Sequence, residues 1–195
     1  MKRLVGFAAI VATLFLSGCG GKQPDTTATG APCLNDGKEA PKWVCIPYLD
    51  DKTIAGLGTA QKNPANDYGF QFTQAQAQGR DAISFNVEAN VRAAFDSWQR
   101  NTGAGENAIF EQNMERVSRQ TSFLSIKGAK VADTWQHPNN GTLFVLMTAP
   151  LDQTENALMS SLRNENALWQ QFQSQKAQEQ LKEEFERAIK QPVTE

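Results

Sequence analysis

One apolar stripe constrains this chain more than any other feature. From Phe72 onward, Ala75, Gly79, Ile83, Val87, Val91, Ala94, Phe95 and Trp98 recur at steps of three and four residues. That spacing keeps one side of an α-helix apolar, and it predicts a helix running to about Gln99. Asn101-Thr102-Gly103-Ala104-Gly105 then breaks it, since clustered small and turn-forming residues end a helical run. So long an apolar side needs a second layer to lie against.

The rest of the chain offers that layer. Trp43-Val44-Cys45-Ile46 is the first apolar cluster, closed by Pro47, and Thr53–Ala60, "TIAGLGTA", reads as a short strand. Lys127 to Gln136 alternates, with Ala129, Val131, Asp133 and Trp135 on one side, and Thr142–Thr148 reads as a more buried strand. Between these two lies His137-Pro138-Asn139-Asn140-Gly141, and Asn-Gly is a strong hairpin signal, so they pair antiparallel. A shorter helix places Phe110, Met114, Val117 and Thr121 on one face. Asp152-Gln153-Thr154-Glu155 resembles a capping box opening a long C-terminal helix. Its apolar face (Leu158, Leu162, Leu168, Trp169, Phe172) lapses over Ser174–Gln180 and resumes out of phase at Leu181, Phe185, Ala188 and Ile189. That pattern predicts a docked start and an extended end, which reaches either a neighbouring subunit or solvent. The order β-α-(α)-β-β-α predicts an α+β fold: a small antiparallel sheet of about three strands, packed on helices in two layers.

The N-terminus sets the compartment. Met1-Lys2-Arg3 precedes an uncharged run, Leu4 to Leu16. A membrane span needs about 20 apolar residues, so this shorter run reads as a secretory leader. Leu16-Ser17-Gly18-Cys19 resembles the bacterial lipobox, which implies cleavage before a diacylated Cys19. More than one acyl chain makes such an anchor stable. In lipoproteins of that kind an Asp after the cysteine favours retention at the inner membrane; here the residue is Gly20, which implies an outer-membrane anchor. The division expected is a leader over 1–18, a lipidated tether over 19–41, an α+β domain over 42–150 and the C-terminal helix over 151–195. The tether from Gly20 to Pro41 spans on the order of 25 Å as a coil.

Lys2 and Arg3 leave with the leader, so 17 of the 19 basic residues face all 21 acidic ones. This mildly acidic balance excludes a nucleic-acid footprint, which requires a clustered basic face. With Cys19 acylated, Cys33 and Cys45 remain, an even pair in an oxidising compartment, and a disulfide is expected. Closing a loop of about 13 residues stabilises by roughly 3 kcal/mol. A zinc site is the rival, but His137 is the only histidine, and two thiolates with one distant imidazole make a poor set of ligands.

Gly56-Leu57-Gly58 is spaced as in a phosphate-cradling loop, but no helix follows at once, and Gln61 to Asp67 is polar and broken by Pro64. The glycines instead predict close packing against Ala75 and Gly79. No catalytic set emerges either. His137 sits in a turn and reads as a surface residue, while Asp50-Asp51 and Glu183-Glu184 read as solvated charge. Asp133 is the one candidate for a half-buried carboxylate, satisfied by a backbone or Arg partner. No catalytic residue, cofactor or metal ligand is assigned.

Taken in order behind a lipobox, "PKWV", "IAGLGTA", "QAQGRDAISFNVEANV", "IKGAKVADTW" and "GTLFVLM" are similar to the LPP-twenty lipoprotein family, over about Pro41 to Pro150. The resemblance implies a compact α+β domain without enzyme activity, and in some members self-assembly into rings or disks in the cell envelope, as in flagellar outer-membrane lipoproteins. The expected partners are the membrane through Cys19, and either further copies or other envelope proteins. A different class of function stands beside it: a periplasmic ligand-binding or hydrolytic domain using an apolar pocket between sheet and helix.

Overall fold

The computed structural model describes residues 32–103 and 108–190. The leader, Cys19 and most of the tether lie outside the described residues. Tether-like character stops earlier than the composition implies, because the chain is folded from Pro32. Strands β1 (Leu34–Asn35) and β2 (Lys38–Glu39) form a hairpin around Asp36-Gly37, whose φ values are 45° and 72°. Positive φ at both central residues matches the twist of a two-residue hairpin turn. A one-turn helix, α1 (Lys42–Cys45), follows and buries Trp43 and Val44. Cys33 is disulfide-bonded to Cys45, with their Cα atoms 5.9 Å apart.

Strand β3 (Thr53–Ala60) has the limits its sequence predicts and alternates buried with half-buried residues. Helix α2 (Tyr68–Thr102) starts earlier than the stripe alone shows. The cause is Asp67, whose Oδ1 accepts the Phe70 amide at 3.0 Å. Such a cap satisfies an otherwise orphan N–H. Gly103, left-handed at φ 68°, ends the helix and returns its amide to Gln99. Helix α3 (Ala108–Lys127) buries Phe110, Met114, Val117 and Thr121, the face its spacing predicts.

Strand β4 (Lys130–Gln136) and strand β5 (Leu143–Pro150) pair antiparallel through the His137–Gly141 turn, and the sheet order is β3-β5-β4. Central β5 is buried from Leu143 to Ala149 on both faces. A two-layer fold would leave one of those faces wet. Here the helices take one face, and the disulfide-bonded N-terminal segment covers the other, packing Trp43, Val44 and Ala40 on Phe144 and Leu146. The architecture is α+β, with a thin third layer that residues 32–45 supply.

Two expectations need correcting. The helix after β5, α4 (Leu151–Asn164), begins directly at Pro150 with no side-chain cap, so Asp152-Gln153-Thr154-Glu155 is not a capping box. Thr154 Oγ1 instead donates to the Pro150 carbonyl at 3.0 Å. The C-terminal region is helical as expected, but the chain turns through α5 (Asn166–Trp169) and a 3₁₀ turn (Gln170–Phe172) before α6 (Gln175–Lys190). The lapse in apolar phase marks this turn. It returns α6 onto the body, where Leu181 and Phe185 are fully buried, so the end is docked rather than extended.

Candidate functional site

The glycine pair is the first candidate, and its surroundings are mostly the α2 backbone, with the Ile83 side chain beside Gly56. A Cβ built on Gly58 overlaps the Ala75 carbonyl oxygen and lies 2.6 Å from the Gly79 nitrogen. One on Gly56 overlaps the Gly79 carbonyl oxygen and lies 2.8 Å from the Ile83 nitrogen. Two residues of strand rise about 6.8 Å, and four of helix about 6 Å, so the two elements stay in step along this contact. The N-terminus of α2 already holds the Asp67 carboxylate, which takes the position an anion would need. The glycines admit a helix, not a phosphate.

The same helix also closes the sheet edge. Gln78 Oε1 accepts the Thr59 amide at 2.7 Å, and Asn86 Nδ2 donates to the Ala55 carbonyl at 3.1 Å. An open strand edge is a template for unwanted pairing, and these two amides, two turns apart, blunt it.

His137 is where the sequence reading fails most. It is 2% exposed, not a surface residue. Its Nδ1 accepts the backbone amides of Asn139 and Asn140 at 3.2 and 3.3 Å, which leaves Nε2 to donate to the Asn35 carbonyl at 3.1 Å. The imidazole thus braces its own turn and pins the β1–β2 hairpin. Both ring nitrogens are occupied, so it has no free site for a proton shuttle. Asp133 departs from expectation in the opposite sense. A bulge between Val131 and Asp133 shifts the alternation and leaves its side chain exposed. Its Oδ2 accepts the Trp43 indole N–H at 2.8 Å, a second polar tie between sheet and N-terminal layer.

The acidic doublets separate. Asp50 Oδ1 accepts the Lys52 amide and the Thr53 hydroxyl, while Asp51 accepts the Tyr48 hydroxyl at 2.8 Å. That hydrogen bond, with smaller contributions from desolvation and the charges of Asp51 and Asp50, raises the Tyr48 phenol above its usual pKa. Glu183 is exposed, but Glu184 is only 8% exposed and is not solvated charge. It accepts Ser97 Oγ at 2.7 Å and Asn101 Nδ2 at 2.9 Å, and pairs with Arg187. The Ser97 hydrogen bond, followed by the Arg187 bond and charge and the Asn101 bond, outweighs desolvation and holds its carboxyl below the usual value. This cluster clasps α6 to α2.

A cleft of about 540 Å³, within the usual range for ligand sites, is open to solvent. Ile54, Leu151 and Ile189 give it an apolar lining, Asn86 and Asn90 line it from successive turns of α2, and Tyr48 lines it as well. Its walls come from chain segments far apart in sequence; only the Asn86/Asn90 spacing on one helix face was a local signal. Among the described residues, no group of three or more His, Cys, Asp or Glu side chains is placed to hold a metal ion. No helix among them is long and apolar enough to cross a membrane. Neither protein-family models nor curated relatives give a match to this chain.

Proposed function

We propose that this chain is a non-enzymatic lipoprotein of the outer membrane, anchored through Cys19, with a structural or assembly role in the cell envelope. The observation that carries this reading is the disulfide-bonded layer at the tether's end. Force from an anchored Cys19 would enter the body at Pro32, and Cys33–Cys45 ties that entry point to Trp43 and Val44 on the central strand. A disulfide persists in an oxidising compartment, which agrees with the leader. The polar groups best suited to chemistry (His137, Asp133 and Glu184) are engaged in holding layers together. The test is anchoring: Cys19→Ser should abolish palmitate incorporation and leave an uncleaved or soluble precursor. Palmitate retained by Cys19→Ser would sink the reading.

A second reading, a periplasmic ligand-binding domain, draws on the 540 Å³ cleft between β3, α2 and the end of α6. Filling it with Asn90→Trp, from the α2 wall, should leave membrane anchoring and assembly intact under the first reading and abolish ligand binding under the second.

A further inference from the structure

Helices α2 and α3 run antiparallel, and Ser84 and Ser122 mark their line of contact. The two hydroxyls hydrogen-bond, and Ser122 Oγ reaches the Ser84 carbonyl at 3.2 Å. Further along, Arg92 lies 4.0 Å from Glu115, which fixes the register. One residue of helix rotates a side chain by about 100°, and in an antiparallel pair that step carries the next residue of both helices to the same side. Phe85 and Phe123 therefore stand abreast on the outer face, 69% and 57% exposed.

The charges around the two rings are not alike. On α2, Asp81 and Glu88 lie one turn before and after Phe85; on α3, Arg119 and Lys127 lie one turn before and after Phe123. Residues three and four apart share a helix face, so an acid-flanked ring sits beside a base-flanked ring. Lys127 Nζ is 4.5 Å over the Phe123 ring, and Arg119 pairs with Glu115 at 2.6 Å. A surface of this pattern is complementary to itself under one rotation only.

We propose that this face binds a second copy of the chain about a two-fold axis parallel to α2 and α3. Such an interface is isologous, each contact occurring twice. Phe85 then meets the partner's Phe123, Asp81 opposes the partner's Lys127, and Glu88 opposes the partner's Arg119. A two-fold axis across the helices would instead set acid against acid and base against base. A membrane surface fits less well, because Asp81 and Glu88 would face anionic headgroups. The inference gives the assembly role proposed above its partner, and to that extent rests on it.

The test uses the full-length chain in cells, with a photo-crosslinking amino acid in place of Phe85. Irradiation should give a dimer in which residue 85 is joined to the partner's α3. No dimer, or a crosslink to another protein, would overturn the proposal. Charge exchange sharpens it: in the detergent-extracted protein, Asp81→Lys and Lys127→Asp should each weaken dimerisation about tenfold, since facing like charges repel. The double variant re-creates opposite charges across the axis and should restore it. A double variant as weak as either single one would also refute the geometry. Palmitate labelling of the same cells separates the two ideas, because lost dimer with intact labelling condemns the interface and not the anchor.

Discussion

The two faces of the three-stranded sheet are covered by different means. On the helical face, contact is intimate: Gly56 and Gly58 bring the strand against the backbone of α2, and Ile83, Val87, Val145 and Met147 are sealed beneath it. On the other face, a short layer with little apolar area of its own is held by a disulfide and by isolated polar ties, Trp43 to Asp133, His137 to Asn35 and Asn140 to Asp36. Burial close to the backbone makes the first face intolerant of any added atom. The second face depends on a few bonds, each of which can be removed singly. The helical face is therefore expected to open only with global unfolding, and the N-terminal layer to open locally at lower cost.

The largest expected effect breaks the helical face. Gly58→Val places a branched side chain on the Ala75 carbonyl, and backbone cannot rotate away as a side chain does. Overpacking costs about 1–3 kcal/mol where side chains can yield, so about 3 kcal/mol or more is expected here. For a domain of this size that lowers the melting temperature by at least about 6 °C, as thermal denaturation would show. A Gly58→Val variant as stable as the wild type would contradict close packing.

The next effect separates the faces. Replacing Cys33 and Cys45 together by alanine should cost about 3 kcal/mol in the chain-entropy model. Hydrogen exchange should quicken at the Ala40 and Val44 amides, which bond within the N-terminal layer, while amides in the middle of α2 keep their protection. Equal loss at both places would make the sheet and its cover one cooperative unit.

A third, smaller effect concerns what holds the helical side together at its far end. Glu184→Gln keeps the shape of the clasp but removes the charge that Ser97, Asn101 and Arg187 satisfy, a loss of about 2 kcal/mol. The Glu184 carboxyl titrates below its ordinary value of 4.5 in the fold. Its contribution is therefore complete above that value and disappears as pH falls through the lower, folded one. Wild type should lose stability relative to Glu184→Gln over that acid window. Parallel pH profiles for the two proteins would refute the clasp.

The difference between the faces also governs what the sequence made legible. The helical face announces itself through periodicity: the stripe from Phe72 to Trp98, the strand Thr53–Ala60 and the small residues Gly56, Gly58, Ala75 and Gly79 are local patterns. The other face is built from contacts that no local pattern contains. His137 reads as a turn residue because the carbonyl it binds belongs to Asn35, 102 positions away. Residues 32–41 are polar and turn-rich, and they read as tether although Asp36-Gly37 carries the same hairpin signal as Asn140-Gly141. Asp133 follows the alternation until a bulge, which the sequence does not mark, turns it outward. The cleft was the least legible feature, since its walls meet only once α6 has folded back.

The smallest expected effect is the control that gives the first its meaning. Thr59 is the immediate neighbour of Gly58 and points to the opposite side of β3, away from the α2 backbone. Its hydroxyl and its amide both bond Gln78 Oε1, at 2.9 and 2.7 Å. Thr59→Val keeps the β-branched shape and the amide bond and gives up only the hydroxyl, near the half-exposed edge of the sheet. A hydrogen bond of this kind contributes about 0.5–1.5 kcal/mol net, and the surviving amide bond keeps the loss near the lower end. The melting temperature should fall by no more than about 3 °C, well short of the Gly58→Val loss. A phosphate-binding loop would behave differently: ATP or NAD would protect the wild type thermally, and Gly58→Val would erase that protection. Comparable damage from Thr59→Val and Gly58→Val would mean that losing one hydroxyl on the outer side of β3 costs as much as adding a side chain against α2, and the contrast between the two faces would fall with it.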